Sequence, residues 1–453
     1  MENLDSLAIR IPKSNKPRVV IIGGGFAGIQ LSRNLKNKGV QVVMLDRHNY
    51  HTFQPLLYQV ATAGLEPDSI AGPLRKVIEN YEDFYFRLAK VENIDGDNNK
   101  LTTSIGDIHY DYLVIANGSK TNYFGNEKKF EKAFPLKQVP QALDLRSHIL
   151  QNFEQALITE DDAYREELTT FVIVGGGPTG VELAGALGEL KKHVLPHDYP
   201  ELNLDKMKIY LVEGLDRLLM GMSDESGERA LEYLKNFDVE VLLNKMVDSY
   251  DGQIVRFKGG DTINAKTVVW GAGVQGNIIP GLKEDSIEKS RILVDTANRV
   301  QGYDSVFAIG DIALMKSEEW PKGHPMLAPV AIQQGKHLAD NIKRLITQKE
   351  PKPFTYKDKG SMATVGRNKA VADLPGKTHL GGFIAWLIWM FIHLISIIGF
   401  RNKLIVFSNW VWNYFTYDRG TRLIIRPYVQ GKTPKEASTE LPIKETVRDS
   451  ETS

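Results

Sequence analysis

Two patterns alternate along most of the chain: short unbroken apolar runs, and stretches in which apolar residues recur every three or four positions. The first suits strands covered on both faces and the second suits helices packed on one side, so their alternation predicts an α/β fold. Arg18-Val19-Val20-Ile21-Ile22 is the first such strand, and it runs into Gly23-Gly24-Gly25-Phe26-Ala27-Gly28. Ala27, Leu31 and Leu35 then lay down an apolar stripe at four-residue spacing. A second strand, residues 40–45, ends in Asp46.

Glycines alone in this spacing suit any turn before a helix. Here Gly23 permits the tight turn, Gly25 lets a pyrophosphate approach the backbone, and Gly28 lets helix and strand pack closely. Asp46 at the end of the second strand can accept both ribose hydroxyls. Strand, glycines, helix, strand and acid in this order predict a Rossmann-type dinucleotide site.

The pattern then recurs. Phe171-Val172-Ile173-Val174 leads into Gly175-Gly176-Gly177-Pro178-Thr179-Gly180, and the following Val181-Glu182-Leu183-Ala184-Gly185 reads as a helix of small and apolar residues. The next strand, residues 208–212, ends in Glu213 after an insertion over residues 191–207, read as a loop or a lengthened helix. A 2′-phosphate would face the Glu213 carboxylate, so the second site favours NADH over NADPH, with nearby Arg217 as the one contrary signal. Two strand-and-small-residue turns, ending at Gly118 and at Gly273, and a late strand ending in Gly310-Asp311 complete the series.

With these residues the stretch from Arg18 to about Lys343 resembles the flavoproteins with two dinucleotide-binding domains. That resemblance implies FAD at the first glycine loop, NADH at the second, and a ribityl or pyrophosphate contact at Asp311. The expected division is a loose leader at 1–17, unlike a signal or transit peptide, then the FAD domain at 18–125 and the NADH domain at 126–290. The chain returns to the FAD domain at 291–378, a membrane-anchoring region follows at 379–430, and a polar tail takes 431–453.

Composition narrows the chemistry. Lysine plus arginine and aspartate plus glutamate both total 56 in 453 residues, so no overall field points to nucleic acid. There is no cysteine, which excludes a redox dithiol, a thiolate zinc site and a cysteine-held iron–sulfur cluster. The histidines show no metal-ligand spacing, so no metal is expected. Relatives that pass electrons through cysteines are thereby set aside. Direct transfer from flavin to an external acceptor remains.

Residues 383–400 form eighteen positions without a formal charge, about 27 Å as a helix, which is the lower limit for crossing a bilayer core. Arg401-Asn402-Lys403 reads as an interruption before a second apolar stretch at 404–415. Four of the six tryptophans fall between Trp386 and Trp412, where interfacial anchoring would place them. Five basic residues against Asp418 give residues 383–430 a local charge of +4. A buried soluble helix and a single spanning helix both compete with the expected arrangement, an amphipathic helical pair lying in the membrane plane.

The whole, from Arg18 to about Pro427, resembles the type II NADH:quinone oxidoreductases, single-subunit respiratory enzymes that do not pump protons. The motifs that carry this are the two glycine loops, His51-Thr52-Phe53-Gln54-Pro55-Leu56-Leu57-Tyr58, Ala328-Pro329-Val330-Ala331-Ile332-Gln333-Gln334-Gly335 and the tryptophan-rich tail. The resemblance implies FAD contacts at Phe26, Ala27, Arg47, Gln54, Gly118 and Ala331, and NADH contacts at Pro178, Thr179, Glu182 and Gly273. It further implies Gln333 at a quinone site and Glu182 as a carboxyl that meets nicotinamide and flavin and relays protons. Pro329 departs from the family's Ala-Gln-x-Ala-x-Gln pattern and removes its first glutamine.

A lipid quinone, menaquinone or ubiquinone, is then the expected acceptor, with membrane lipids as a partner and a homodimer formed through the C-terminal region. The expected location is peripheral, on the cytoplasmic face of a bacterial inner membrane. Two rival functions remain at this point: an NAD(P)H-dependent reductase of a non-quinone acceptor, and a membrane-docked redox sensor without turnover.

Overall fold

The computed structural model describes residues 9–376 and 378–429; the first eight residues of the expected leader and the whole of the expected polar tail lie outside them. Strand β1 (Arg18–Ile22), helix α1 (Phe26–Leu35) and strand β2 (Gln41–Asp46) follow the predicted order. Strands β3 (Phe84–Leu88) and β4 (Tyr112–Ile115) extend the same sheet. Val20 lies opposite both Val43 and Leu113 in parallel register. With both faces covered, β1 can be apolar throughout. Ala27, Leu31 and Leu35 are all buried, as their spacing predicts.

The second sheet repeats the plan. It takes β5 (Phe134–Pro135), β6 (Thr170–Val174), β7 (Lys208–Val212), β8 (Val239–Leu242) and β9 (Thr267–Trp270), with helix α2 (Pro178–His193) after β6. The insertion after α2 is a short helix, Leu195–Asp198, and a loop. Strand β10 (Val306–Ala308) then rejoins the first sheet. The two orders, β10-β4-β1-β2-β3 and β5-β9-β6-β7-β8, place β1 and β6 at equivalent central positions. Both glycine loops leave from the carboxyl ends of those strands, where an open parallel sheet leaves a crevice for a ligand.

Helix α3 (Ala328–Ile346) lies across α1, where a side chain at Gly335 would come within 2.6 Å of the Ala27 carbonyl. Pro329 opens this helix, a place where its missing N–H costs nothing. An antiparallel sheet of β11 (Ser361–Thr364), β12 (Ala370–Leu374) and β13 (Thr378–Gly381) packs on α2 and carries the last two helices, α4 (Gly382–Ser396) and α5 (Phe400–Thr416).

These helices correct three sequence expectations. The apolar run breaks at residues 397–399, where Gly399 takes φ +88°, and Arg401-Asn402-Lys403 opens α5 rather than interrupting the run. Trp389 (2 % exposed) and Trp410 (9 %) face the core instead of an interface; only Trp412, at 60 %, stands out. The tail arginines are largely neutralised: Arg419 pairs with Glu189, Arg422 with Asp198 and Arg426 with Asp144. The counted +4 therefore overstates the charge this region shows to its surroundings.

Each helix is two-sided. Helix α5 turns Asn402, Val406 and Trp410 inward at four-residue spacing, and Asn402 and Trp410 donate to the Ala71 carbonyl (2.9 Å) and Gln59 Oε1 (2.8 Å). Its other face exposes Phe400, Leu404, Phe407 and Phe415, beside Phe383, Leu387, Phe391 and Ile395 of α4. Among the described residues no helix is long and apolar enough to cross a membrane.

Candidate active site

The two glycine loops share one geometry. Gly23 (φ +108°) and Gly175 (φ +111°) turn the chain in a region closed to other residues, and their amides donate to Leu45 and Val212 across the sheet at 2.8 Å. A Cβ at Gly28 would lie 1.9 Å from the Gly23 carbonyl oxygen, and one at Gly180 would lie 1.9 Å from that of Gly175. At Gly25 and Gly177 a Cβ would meet nothing within 4 Å. The open positions are those where a pyrophosphate needs the backbone bare, at the positive end of a helix. The closed ones are those where helix meets strand.

The strand-end acids complete each cradle in the same way. Asp46 Oδ2 accepts from the Gly24 amide and Glu213 Oε2 from the Gly176 amide, both at 2.6 Å. Each carboxylate is thereby held at the rim where a ribose would lie. Arg217 turns away: it binds the Met222 carbonyl and Asp224, so the cation that argued for a 2′-phosphate is already engaged.

Both cradles open on one cavity of 2380 Å³, well above the roughly 300–1,000 Å³ of a site for one small ligand. Phe26, Ala27, Arg47, Gln54, Gly118 and Ala331 line it on the first side. Pro178, Thr179, Glu182 and Gly273 line it on the second. Gly28 and Gly180 do not, in keeping with a packing role. Asp311 faces the cavity, accepts from Ser119 Oγ at 2.5 Å and lies 3.7 Å from Lys137 Nζ. Gln333 also reaches the cavity, but its amide is paired at both ends with the Lys357 backbone, at 2.9 and 3.0 Å. Its neighbour Gln334 is the buried one and holds the Gly310 amide at 2.7 Å. These residues fit FAD in the first cradle and NADH in the second: bare amides at two helix starts, an acid at each ribose position, and one shared chamber between them. Among the described residues no three acidic or imidazole groups gather as they would around a metal.

Glu182 sits in the second turn of α2 rather than the first, beyond direct support from the helix start. It is 7 % exposed and has one weak polar contact, the Thr364 amide at 3.4 Å. Burial pushes its carboxyl up to about 8, against smaller opposing effects of the Thr364 amide and the Trp389 indole. At neutral pH it holds a proton. On the far side of the cavity α4 contributes Ile392, His393, Ile395 and Ser396, so the chamber reaches the helix whose outer face is apolar. His393 donates from Nδ1 to the Trp389 carbonyl at 2.7 Å, and burial lowers its imidazole to about 4, leaving it neutral.

Sequence reasoning passed over Ser119, Lys137, Thr364 and Trp389. Lys137 and Thr364 come from segments without a motif, while Ser119, beside Gly118, and Trp389, in the tryptophan-rich tail, reach the site through contacts that only the fold brings about. It also passed over Glu189, buried on α2 between Arg419 (3.0 Å) and Arg367 (3.3 Å), which ties the last helices to the helix bearing Glu182.

Two such cradles on one chamber define a two-nucleotide oxidoreductase of the flavoprotein class. The pyridine nucleotide-disulphide oxidoreductase family model matches residues 17–335, and the NDH2 C-terminal domain model matches residues 359–417. The chain is 37 % identical over 443 residues to the type II NADH:quinone oxidoreductase Ndh of Mycobacterium tuberculosis, covering 94 % of each. Its fold matches NDH2 from Plasmodium falciparum in complex with NADH at a TM-score of 0.83 and 20 % identity, covering 91 % of this chain and 100 % of that one. The sulfide:quinone oxidoreductase of Aquifex aeolicus matches at a TM-score of 0.65 and 21 % identity, covering 88 % and 95 %. The chain belongs to the type II NADH:quinone oxidoreductase family. It is an FAD-dependent oxidoreductase that takes electrons from NADH to a quinone, and a membrane-associated enzyme.

Proposed function

We propose that this chain divides the reaction between two mouths of one chamber, with NADH entering over Gly177 and the quinone entering past α4. The carrying observation is the single cavity that joins both glycine cradles to the helix with the apolar outer face. When bound, FAD supplies a two-electron acceptor for hydride and a donor to the quinone. The chain supplies the rest. Gly25 and Gly177 leave amides bare for the two pyrophosphates, Asp46 and Glu213 take the riboses, and Ser119, Lys137 and Asp311 fix the middle of the first nucleotide. Ala331 and Gln333 lie at the acceptor side, where Lys357 holds the Gln333 amide in place.

Quinone reduction consumes two protons, and Glu182 is the buried acid placed to hand one on. Replacing Glu182 with Gln should leave FAD content intact and slow quinone turnover about 100-fold, a usual loss for a proton-transfer group. Unchanged turnover with a short-chain quinone would reject the role. The same variant carries a stability signature. A carboxyl held near 8 against an unfolded value of 4.5 contributes most below about pH 4.5, and its contribution falls away as pH rises through about 8. Thermal midpoints at pH 6 and pH 9 should therefore converge in Glu182→Gln.

Membrane contact falls to the outer faces of α4 and α5, seated in the plane of the membrane. The enzyme then rests on the cytoplasmic face of a bacterial inner membrane, reduces menaquinone or ubiquinone, and forms a homodimer through the C-terminal region. Leu387→Glu with Phe391→Glu should abolish co-sedimentation with liposomes while NADH-to-dye activity survives, because both side chains point away from the core. Retained sedimentation would overturn this placement.

A further inference from the structure

Phe124 holds a conformation that bulky side chains avoid. Its backbone takes φ +53°, where an aromatic residue is a genuine outlier, and such outliers cluster at ligand clamps. Two neighbours pin it there. The Phe124 amide donates to Asn122 Oδ1 at 2.8 Å, and Asn126 Nδ2 donates to the Phe124 carbonyl at 3.0 Å. The ring is 62 % exposed and borders the chamber. A lone exposed phenylalanine needs no explanation; one turned outward by a strained, doubly pinned backbone does. Tyr123, just before it, instead tilts inward onto Trp270 at 5.5 Å.

The turn that carries Phe124 is fastened to the second cradle. Residues Ser119–Thr121 run antiparallel to Val274–Gly276. The Asn122 amide then donates to the Gly273 carbonyl at 3.1 Å, and the Trp270 indole donates to the Asn122 carbonyl at 2.8 Å. This brings the Phe124 ring onto Gly273, with Cζ 3.5 Å from where a Cβ there would lie. The same turn abuts the glycine loop on its other side: a Cβ at Gly175 would lie 2.7 Å from the Ala272 amide nitrogen.

Strand order says which half of the nucleotide arrives here. Strands β7 and β9 flank β6 on opposite sides. Glu213, after β7, is the acid for the adenosine ribose, and the pyrophosphate lies over the helix start at Gly177. The other half of the dinucleotide therefore crosses β6 toward the end of β9, which is Gly271-Ala272-Gly273. We infer that Phe124 is a binding residue for the nicotinamide half of NADH, its ring closing that end of the second cradle over Gly273. The inference rests on NADH occupying the second cradle, as proposed above. An aromatic face suits this half because the nicotinamide ring is itself flat and aromatic.

The test follows flavin reduction by NADH in the FAD-loaded full-length protein, by anaerobic stopped flow. Phe124→Asn should raise the apparent Kd for NADH about tenfold, the usual loss of one aromatic face from a nucleotide base. Asparagine accepts the left-handed conformation, so the thermal midpoint should not fall. The Ki of ADP, which has the adenosine and pyrophosphate but no nicotinamide half, should keep the parent value, as should FAD content. Phe124→Tyr retains the ring and should retain the parent Kd. An unchanged Kd for NADH in Phe124→Asn overturns the proposal. So does an equal rise for NADH and ADP, or a thermal midpoint that falls with the affinity, since either makes the ring a prop for the whole cradle. The underlying assignment fails separately: if Gly180→Ala sheds FAD and keeps its use of NADH, the two nucleotides are exchanged and the role of Phe124 falls with that reading.

Discussion

Gly180→Ala should yield a protein that keeps FAD and no longer uses NADH. The methyl group would lie 1.9 Å from the Gly175 carbonyl oxygen, far inside any contact distance, and both atoms are backbone-borne. Relief requires α2 to lift away from β6, which withdraws the bare amides at Gly177 and the second-turn Glu182 together. A displacement of about 1 Å at a reacting centre is enough for a 100-fold loss of rate, so kcat/KM for NADH should fall by at least about that factor. The first cradle shares no backbone with this shift, and FAD absorbance per chain should match the parent. The mirror substitution, Gly28→Ala, meets the Gly23 carbonyl at the same 1.9 Å and separates the two cradles by its opposite outcome. Equal loss of both nucleotides in Gly180→Ala would show that the cradles do not act independently.

Removing everything from Gly382 onward should cost the fold itself, not only membrane contact. Ala385, Trp389, Ile397, Val406 and Trp410 belong to the same buried cluster as Val181 and Leu187 of α2 and Phe53 and Leu57 beside the first cradle. Truncating one buried large aromatic costs about 3–5 kcal/mol, and the whole stability of a domain is only about 5–15 kcal/mol. Two tryptophans and three aliphatic side chains exceed that margin. The expected outcome is insoluble or FAD-free protein, read by flavin absorbance and a thermal scan. A soluble, flavin-loaded truncation with dye activity would show that these helices are a separable foot. The outward charge substitutions remain the cleaner way to detach the enzyme from lipid.

Much of the fold was legible because the two cradles are local: in the first, strand, glycines, helix and acid all fall between Arg18 and Asp46, and each part reports a short-range constraint. Glu182 was legible for a related reason, as an acid amid Val, Leu, Ala and Gly. It falls in the second turn of α2, which starts at Pro178. The tail was harder. A tryptophan reads the same in a sequence whether it meets lipid or core, and Trp389 and Trp410 were decided by partners far earlier in the chain, on the Leu57–Ala61 helix and α2. The arginines misled in the same way: a count within residues 383–430 cannot see Asp144, Asp198 or Glu189. Gln333 was found by pattern, but its tie to Lys357 was not, because that loop carries no motif.

Strand β10 bears on how the molecule is built. It reaches the edge of the first sheet only after the whole second sheet has passed, Val306 lying beside Leu113. The second sheet, by contrast, is complete between Phe134 and Trp270. On a ribosome every strand of the later-starting unit therefore emerges before the last strand of the earlier one, whose edge beside β4 is completed only then. Gly310 and Asp311, which finish the first cradle, emerge later still. The first cradle is thus finished only after all the strands of the nicotinamide unit have been made.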